Sequence, residues 1–371
     1  LLKGLIYMNN WYEEAWAKTV AKETRVSHEI GASFPHASHD GKYDCAYPEW
    51  WTNGFYPGIL WLIYRDNSDD FLKSTANEVE EKLDSVLEEY YNTDHDMGFL
   101  WSLTSVAQYK INKNESSRRR ALHAANLLAG RFNLAGRFIR AWNGDKKGWA
   151  IIDCLMNLPL LYWASEETGD PRFKHIAVAH AETALKYFLR EDGSANHICS
   201  FDPESGEFIE SFGGQGYKVG SAWSRGLSWA VYGFALSYKY TKKEEFLEGS
   251  KRAAKYFYEH LPEDKVPYWD FSLPSNDGEP RDSSAAACAA CGLMELADLT
   301  DDVSYKKMGE EITKSLYDNY TDFDSDAQEL IKEGTSNKPE HTNINVGLIY
   351  GDYFFTEALA RLNGKCSALF W

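Results

Sequence analysis

Two short stretches of this chain carry residue types that could do chemistry. One is His95-Asp96-Met97-Gly98-Phe99-Leu100-Trp101-Ser102, and the other is Ile151-Ile152-Asp153-Cys154-Leu155-Met156-Asn157-Leu158-Pro159-Leu160. Each sets one carboxylate at the start of an apolar, helix-patterned run. A carboxylate among apolar and aromatic neighbours is costly to keep charged and unpaired. At equivalent positions of two helices, Asp96 and Asp153 can face one cavity, and paired carboxylates are the equipment for acid/base work on a sugar. The structural alternative is plain: an Asp just ahead of a helix is a good N-cap. There is also a tension. A helix N-terminus lowers a carboxyl pKa, whereas a general acid needs it raised, by burial or by the second carboxylate.

A second group follows in Gly213-Gly214-Gln215-Gly216-Tyr217 and Ser221-Ala222-Trp223-Ser224-Arg225-Gly226-Leu227-Ser228-Trp229. Glycines let a backbone approach a ligand closely. The Arg225 guanidinium is a planar fork that suits a carboxylate; its alternative is a salt bridge at the rim of the fold. His197 gains weight only by sharing a long loop with Gln215 and Arg225, since a lone histidine is more often structural. The glycine run lacks the strand-to-helix context of a phosphate loop. No His/Glu spacing resembles a metal site, and neither metal nor cofactor is expected.

Helical periodicity dominates the elements that must position these groups. Helices are predicted near 11–29, 55–66, 68–90, 97–112, 114–130, 152–168, 170–189, 225–240, 242–261, 283–299, 302–319 and 350–362. They fall into hairpins of recurring texture. The first member is small and apolar, as in Ser283–Met294, and the second is amphipathic and charged, as in Asp302–Tyr317. A helix apolar all round is buried and one with a polar face lies outside. Five such hairpins, and a sixth joining the last helix to the first, predict an all-α, closed two-layer (α/α)6 barrel. It is read as one domain over residues 1–371. Turns within hairpins are short, as in Thr168-Gly169-Asp170-Pro171. The connections between hairpins are long, as in 190–224 and 262–282, and they gather with Asp96 and Asp153 at the end where inner helices begin. Loop 190–224 is expected to form a small hairpin.

Composition limits the function classes. The 371 residues are 44% hydrophobic and 26% charged, which predicts a large buried core. Against 56 Asp and Glu stand 39 Lys and Arg, a net charge of −17, which argues against nucleic acid and anionic membranes as partners. Aromatics reach 15%, with 13 Trp and 23 Tyr, enough for a large aromatic core or for a cleft paved with rings that stack on sugars. Cys45, Cys154, Cys199, Cys288, Cys291 and Cys366 show no regular framework, so reduced thiols are expected. Cys288-Ala-Ala-Cys291 sits in an Ala-rich helix with no second pair, against a zinc or redox site. No apolar run reaches the length of a membrane span. Leu1–Met8 is too short for a signal peptide, and a cytoplasmic location is expected.

Taken together, HDMGFLWS, AWN followed by IIDCLMNLPLL, the Gln-Gly…Trp-Ser-Arg-Gly…Trp run, Tyr268-Trp269-Asp270-Phe271 with Arg281-Asp282-Ser283-Ser284-Ala285, and Gly351-Asp352-Tyr353-Phe354-Phe355…Glu357-Ala358-Leu359 resemble the unsaturated glucuronyl hydrolases, glycoside hydrolase family 88. The resemblance runs in order over roughly residues 11–371. It implies an (α/α)6 barrel and removal of a 4,5-unsaturated uronic acid from the non-reducing end of lyase-generated oligosaccharides, glycosaminoglycan disaccharides above all. A carboxylic acid protonates C4 of the vinyl ether, water adds at C5, and the hemiketal opens so that the glycosidic link falls apart. Asp153 matches the acid/base and Asp96 the carboxylate holding sugar hydroxyls. Trp51, Trp142 and Trp229 match ring-contacting tryptophans, and Trp223 is placed with them. His197, Gln215 and Arg225 match polar residues around the unsaturated ring. Ser336 and Lys338 lie where sulphate-tolerant members carry Ser and Lys. Gly214 stands where some members have His, and Gly347 where some have Tyr. The rivals are an unsaturated rhamnogalacturonyl hydrolase and a non-catalytic sugar-binding toroid. A proton-donating pair of carboxylates speaks against the toroid.

Overall fold

The computed structural model describes residues 10–365 and 370–371; Leu1–Met8 and Cys366, read above from the sequence, lie outside the described residues. In chain order the helices are α1 (Trp11–Ile30); α2 (Phe55–Asn67), with α3 (Asp70–Lys82) and the short α4 (Asp84–Glu89); and α5 (Met97–Trp101) and α6 (Ala107–Asn112), with α7 (Glu115–Ala129). They continue with α8 (Leu158–Thr168) and α9 (Pro171–Tyr187), α10 (Ser224–Thr241) and α11 (Glu244–Glu259), α12 (Ser283–Thr300) and α13 (Val303–Ser315), and α14 (Ile349–Leu362). All twelve predicted helices are present, and the 68–90 prediction is two helices, α3 and α4.

The inner ring runs α2, α5–α6, α8, α10, α12, α14 and back to α2, each packed on the next. The outer helices α3, α7, α9, α11, α13 and α1 lie against their inner partners, with α1 packing on α14 to close the circle. This is the (α/α)6 barrel that the pairing of apolar with amphipathic helices predicts. α10, α12 and α14 are buried along almost their whole length, whereas α11 buries one stripe, including Phe246, Ala253 and Phe257. Close approach needs small residues: a Cβ on Gly292 of α12 would sit 2.9 Å from the Tyr232 Cα of α10. Hairpin turns follow local rules. Gly169 ends α8 at φ +71°, Asp170 accepts from the Arg172 N–H, and Pro171 opens α9, where no N–H is required.

Two inner segments are not plain α-helix. Ser102–Val106 forms a π-turn between α5 and α6, and Ile152–Met156 is a 3-10 turn ahead of α8. Short strands decorate the rim: β1 (Pro35–His39) with β2 (Lys42–Cys45), β3 (Phe132–Asn133) with β4 (Phe138–Ile139), a sheet of β5 (Trp149–Ile151), β6 (Ile198–Phe201) and β7 (Phe208–Phe212), and β8 (Gly334–Asn337) with β9 (Thr342–Val346). β6 and β7 are the hairpin expected in loop 190–224.

The bore is filled. Phe99, Trp229, Phe354 and Trp371 are buried and in mutual ring contact, Trp371 lying nearly parallel to Phe354 at 6.1 Å between centroids. Cys45, Cys154, Cys199, Cys288 and Cys291 are unpaired thiols, all buried except Cys45. Among the described residues no helix is long and apolar enough to cross a membrane.

Candidate active site

A cavity of about 390 Å³ opens at the rim where the inner helices begin. Asp96 and Asp153 both line it, from different hairpins. Neither acts as a cap: Asp96 precedes α5 and Asp153 lies in the 3-10 turn, and no capping hydrogen bond is made at either helix start. Their carboxylates therefore remain available to the cavity.

The β5–β6–β7 sheet delivers three of the expected residues together. β5 runs straight into the turn that holds Asp153. Ile152 N–H donates to the His197 carbonyl at 3.0 Å, which fixes the two residues side by side. Gln215, just past β7, donates its backbone N–H to His197 Nδ1 at 2.9 Å. An accepting Nδ1 leaves the ring proton on Nε2, and that nitrogen faces Asp153 Oδ1 at 3.5 Å.

Asp96 is held from α8 and from its own loop. Asn157, fully buried, donates Nδ2–H to Asp96 Oδ1 at 3.0 Å and accepts the Phe99 N–H at 2.9 Å. Gly98 makes this docking feasible, since a Cβ there would meet the Asn157 Cα at 2.4 Å. Asp94 accepts the Asp96 N–H at 2.8 Å. Arg131 donates to the Thr93 and Ala141 carbonyls, both at 2.9 Å, and so ties the Asp96 loop to the segment carrying Trp142.

The environments push the two carboxyls apart. Burial, then the nearby charges of Asp94 and Asp153, hold Asp96 well above the ordinary carboxylate range. Burial also raises Asp153, but the His197 N–H and the positive charge of Arg225 outweigh it and hold that carboxyl below its ordinary value. Burial takes His95 down to about 3, so its ring is neutral where Nε2 lies 3.4 Å from Asp96 Oδ1. In the unliganded site the surroundings thus favour the protonated form at Asp96 and the charged form at Asp153. This is the reverse of what a donor at Asp153 needs before substrate arrives.

Of the other expected residues, Trp51, Trp142, His197, Gln215 and Arg225 line the cavity. Arg225 does so with its fork already used. Nη1 donates to Asp282 at 2.9 Å and the Thr335 carbonyl at 2.6 Å, while Nη2 donates to Gln215 Oε1 at 2.9 Å and the Ser336 carbonyl at 2.5 Å. The free carboxylate-binding fork expected from sequence is thus a buried clasp joining α10, α12 and β8, and only Nε–H is left to turn toward a ligand. Four expected contacts lie outside the cavity lining. Trp223 is buried against the His197 ring at 4.4 Å, and Trp229 belongs to the aromatic filling of the bore. Ser336 contributes its carbonyl to Arg225, and Lys338 turns toward Glu279 at 3.8 Å. Their hairpin sends Asn337 and Glu340 into the lining instead. Trp50, Asp94 and Lys146 also line the cavity and were missed. Trp50 adjoins Trp51 in sequence and Asp94 is two residues from Asp96, so neighbourhood was the available signal for both.

Residues 16–370 match the Glycosyl Hydrolase Family 88 model. The chain is 38% identical, over 95% of its length and 96% of the relative's, to an unsaturated glucuronyl hydrolase of Bacillus sp. strain GL1. It is 36% identical to an unsaturated chondroitin disaccharide hydrolase of Streptococcus pyogenes serotype M1, covering 88% of this chain and 84% of that one. A crystal structure of the Bacillus sp. GL1 unsaturated glucuronyl hydrolase, responsible for the degradation of glycosaminoglycan, superposes with a TM-score of 0.94 at 36% identity, over 97% of this chain and 99% of that one.

Proposed function

The chain belongs to glycoside hydrolase family 88, and on that premise we propose that it releases the 4,5-unsaturated uronic acid from the non-reducing end of lyase-generated oligosaccharides, glycosaminoglycan disaccharides in particular. The observation that carries this reading is the pair of uncapped carboxyls, Asp96 and Asp153, held at opposite protonation tendencies on one cavity. Groups whose surroundings drive their pKa values apart are the mark of an acid/base assignment.

Substrate supplies the inversion that the empty site lacks. Sugar hydroxyls donating to Asp96 favour its charged form, and the substrate carboxylate beside Asp153 favours the neutral form there. Asp153 then gives its proton to C4, and the positive charge left at C5 is shared with the ring oxygen. A water adds to C5 and returns its proton to the Asp153 carboxylate. The resulting hemiketal opens to a ketone at C5, and the anomeric centre then releases the leaving sugar with its oxygen. Trp51 and Trp142 offer ring faces for the sugars. His197, with its tautomer fixed by the Gln215 N–H, orients the Asp153 carboxyl.

We place the reaction in the cytoplasm. The five cysteines among the described residues, including the exposed Cys45, are unpaired thiols, which supports a reducing compartment.

Product analysis in heavy water tests the reaction. Hydration puts one solvent deuterium at C4 and solvent oxygen at C5, whereas direct glycoside hydrolysis puts solvent oxygen at the anomeric carbon. NMR of the product is expected to show deuterium at C4, and its absence refutes hydration.

A further inference from the structure

Among the described residues, one cation of the cavity has neither a charged nor a hydrogen-bonding protein partner. The positive groups lining it are Arg225, whose terminal nitrogens are taken, and Lys146. Among the described residues Lys146 makes neither an ion pair nor a side-chain hydrogen bond. It is nevertheless held in place. Its ammonium lies 4.8 Å from the Trp142 ring centroid and 4.9 Å from that of Trp149, with the two indoles edge to face. Trp149 is itself stacked on Phe212 at 4.6 Å, and the Trp149 N–H closes a turn on the Lys146 carbonyl at 3.1 Å. A lysine clamped by two ring faces loses little further freedom when it meets an anion, and indoles leave its charge uncompensated.

The position suits a group on the leaving sugar. Trp149 is four residues ahead of Asp153 along β5 and the 3-10 turn that follows, a chain path of about 10–13 Å at ~3.3 Å per residue, and Lys146 is seated on the Trp149 ring rather than beside Asp153. Trp142, which the ammonium covers, is itself in the lining. Elsewhere the lining presents Asp94 and Glu340, which repel an anion, while Lys338 on the β8–β9 hairpin is turned to Glu279.

From this geometry we infer that Lys146, seated on Trp142 and Trp149, binds an anionic substituent, a sulphate ester, on the leaving sugar and so sets the preference for sulphated over unsulphated substrates. The inference rests on the proposed uronide hydrolysis for the identity of the ligand.

The test compares a sulphated unsaturated disaccharide with its unsulphated parent, following loss of the alkene's ultraviolet absorbance. Lys146→Met keeps the stem and removes the charge. It is expected to lower the sulphated-to-unsulphated ratio of kcat/KM by ~10-fold, about 1.4 kcal/mol. Lys146→Arg is expected to keep most of the ratio, and Lys338→Met to leave it within about twofold. An unchanged ratio in Lys146→Met, or a ratio lost in Lys338→Met instead, overturns the assignment. Calorimetric binding of both disaccharides to Asp153→Asn, with and without Lys146→Met, reads the same preference without turnover. An enzyme that hydrolysed neither sugar would refute the proposed reaction, while the binding ratio would still decide for or against Lys146.

Discussion

Asn157 joins the two inner segments that carry the carboxyls, and replacing it by Asp isolates one interaction. The new side chain has the same shape. It still accepts the Phe99 N–H, now at 2.9 Å from an oxygen of greater charge, so α5 stays docked. What changes is the 3.0 Å contact to Asp96, where a donor becomes an acceptor. Two ionised carboxylates at 3.0 Å repel by about 5.5 kcal/mol at an effective dielectric of 20, equivalent to about 4 pH units, so the pair keeps one proton across the neutral range. Asp96 is then the charged acceptor of sugar hydroxyls that the proposed mechanism requires only while the new carboxyl holds that proton, and the two groups compete for it. Asn157→Asp is expected to lower kcat/KM at pH 7 by at least ~10²-fold, with part of the activity regained toward alkaline pH as the shared proton is lost. Its stability is expected to fall with pH as well. The added carboxyl has a folded pKa above its unfolded one, so the folded state holds the extra proton and loses its advantage as pH rises through the folded value. Rates by alkene absorbance from pH 4 to 9, with thermal melts over the same range, measure both. A variant with wild-type rates and an unshifted pH profile would refute the coupling between Asn157 and Asp96.

Three further outcomes are expected. Asp153→Asn should lower kcat by at least ~10²-fold while retaining substrate binding by calorimetry, and near-normal turnover would remove Asp153 as the proton donor. Arg225→Met should leave Asp282 buried and unpaired, costing about 3–5 kcal/mol and lowering Tm by roughly 5 °C for a chain of this length; an unchanged melt would show that the clasp is dispensable. Asp352, pushed up to about 7 by burial despite donors from Tyr43, Leu330 and Ile331, and Glu23, raised by burial and by Asp352, hold protons in the folded state that the unfolded chain releases. Stability should therefore be fully present at acid pH and fall as pH rises through about 7, and melts that stay flat from pH 5 to 9 would contradict this.

The barrel was legible because its two layers are written in different patterns. Ser283–Met294 is apolar on every side and 302–317 on one, and that contrast, repeated, is enough to order the layers. The interruptions were not legible. Nothing in Ser102–Val106 separates a π-turn from the α-helix on either side, and Ile152–Met156 reads as the first turn of α8. The β8–β9 hairpin was missed because Gly334-Thr335-Ser336-Asn337 and Thr342-Asn343-Ile344-Asn345-Val346 hold few alternating apolar residues. Of the candidate site, the placing of both carboxylates and of the His197–Gln215 pair on one cavity was legible. Arg225 misled because its partners lie 57 residues away at Asp282 and more than a hundred away at Thr335 and Ser336, and no local pattern reports them. Lys146 sits in the polar run Gly144-Asp145-Lys146-Lys147-Gly148, which looks like any solvated turn until two indoles close on it.

The aromatic filling beneath Trp51 has a topological consequence for catalysis. With Phe99, Trp229, Phe354 and Trp371 packed below it, the cavity is floored by rings and, among the described residues, does not run on through the bore. A polysaccharide cannot thread through such a cavity, so only a chain terminus can reach Asp153. The released uronate must leave by the opening through which it came before another end can enter. Each turnover is a separate encounter, the enzyme cannot travel along its substrate, and the monosaccharide product competes directly with the next molecule for the same door.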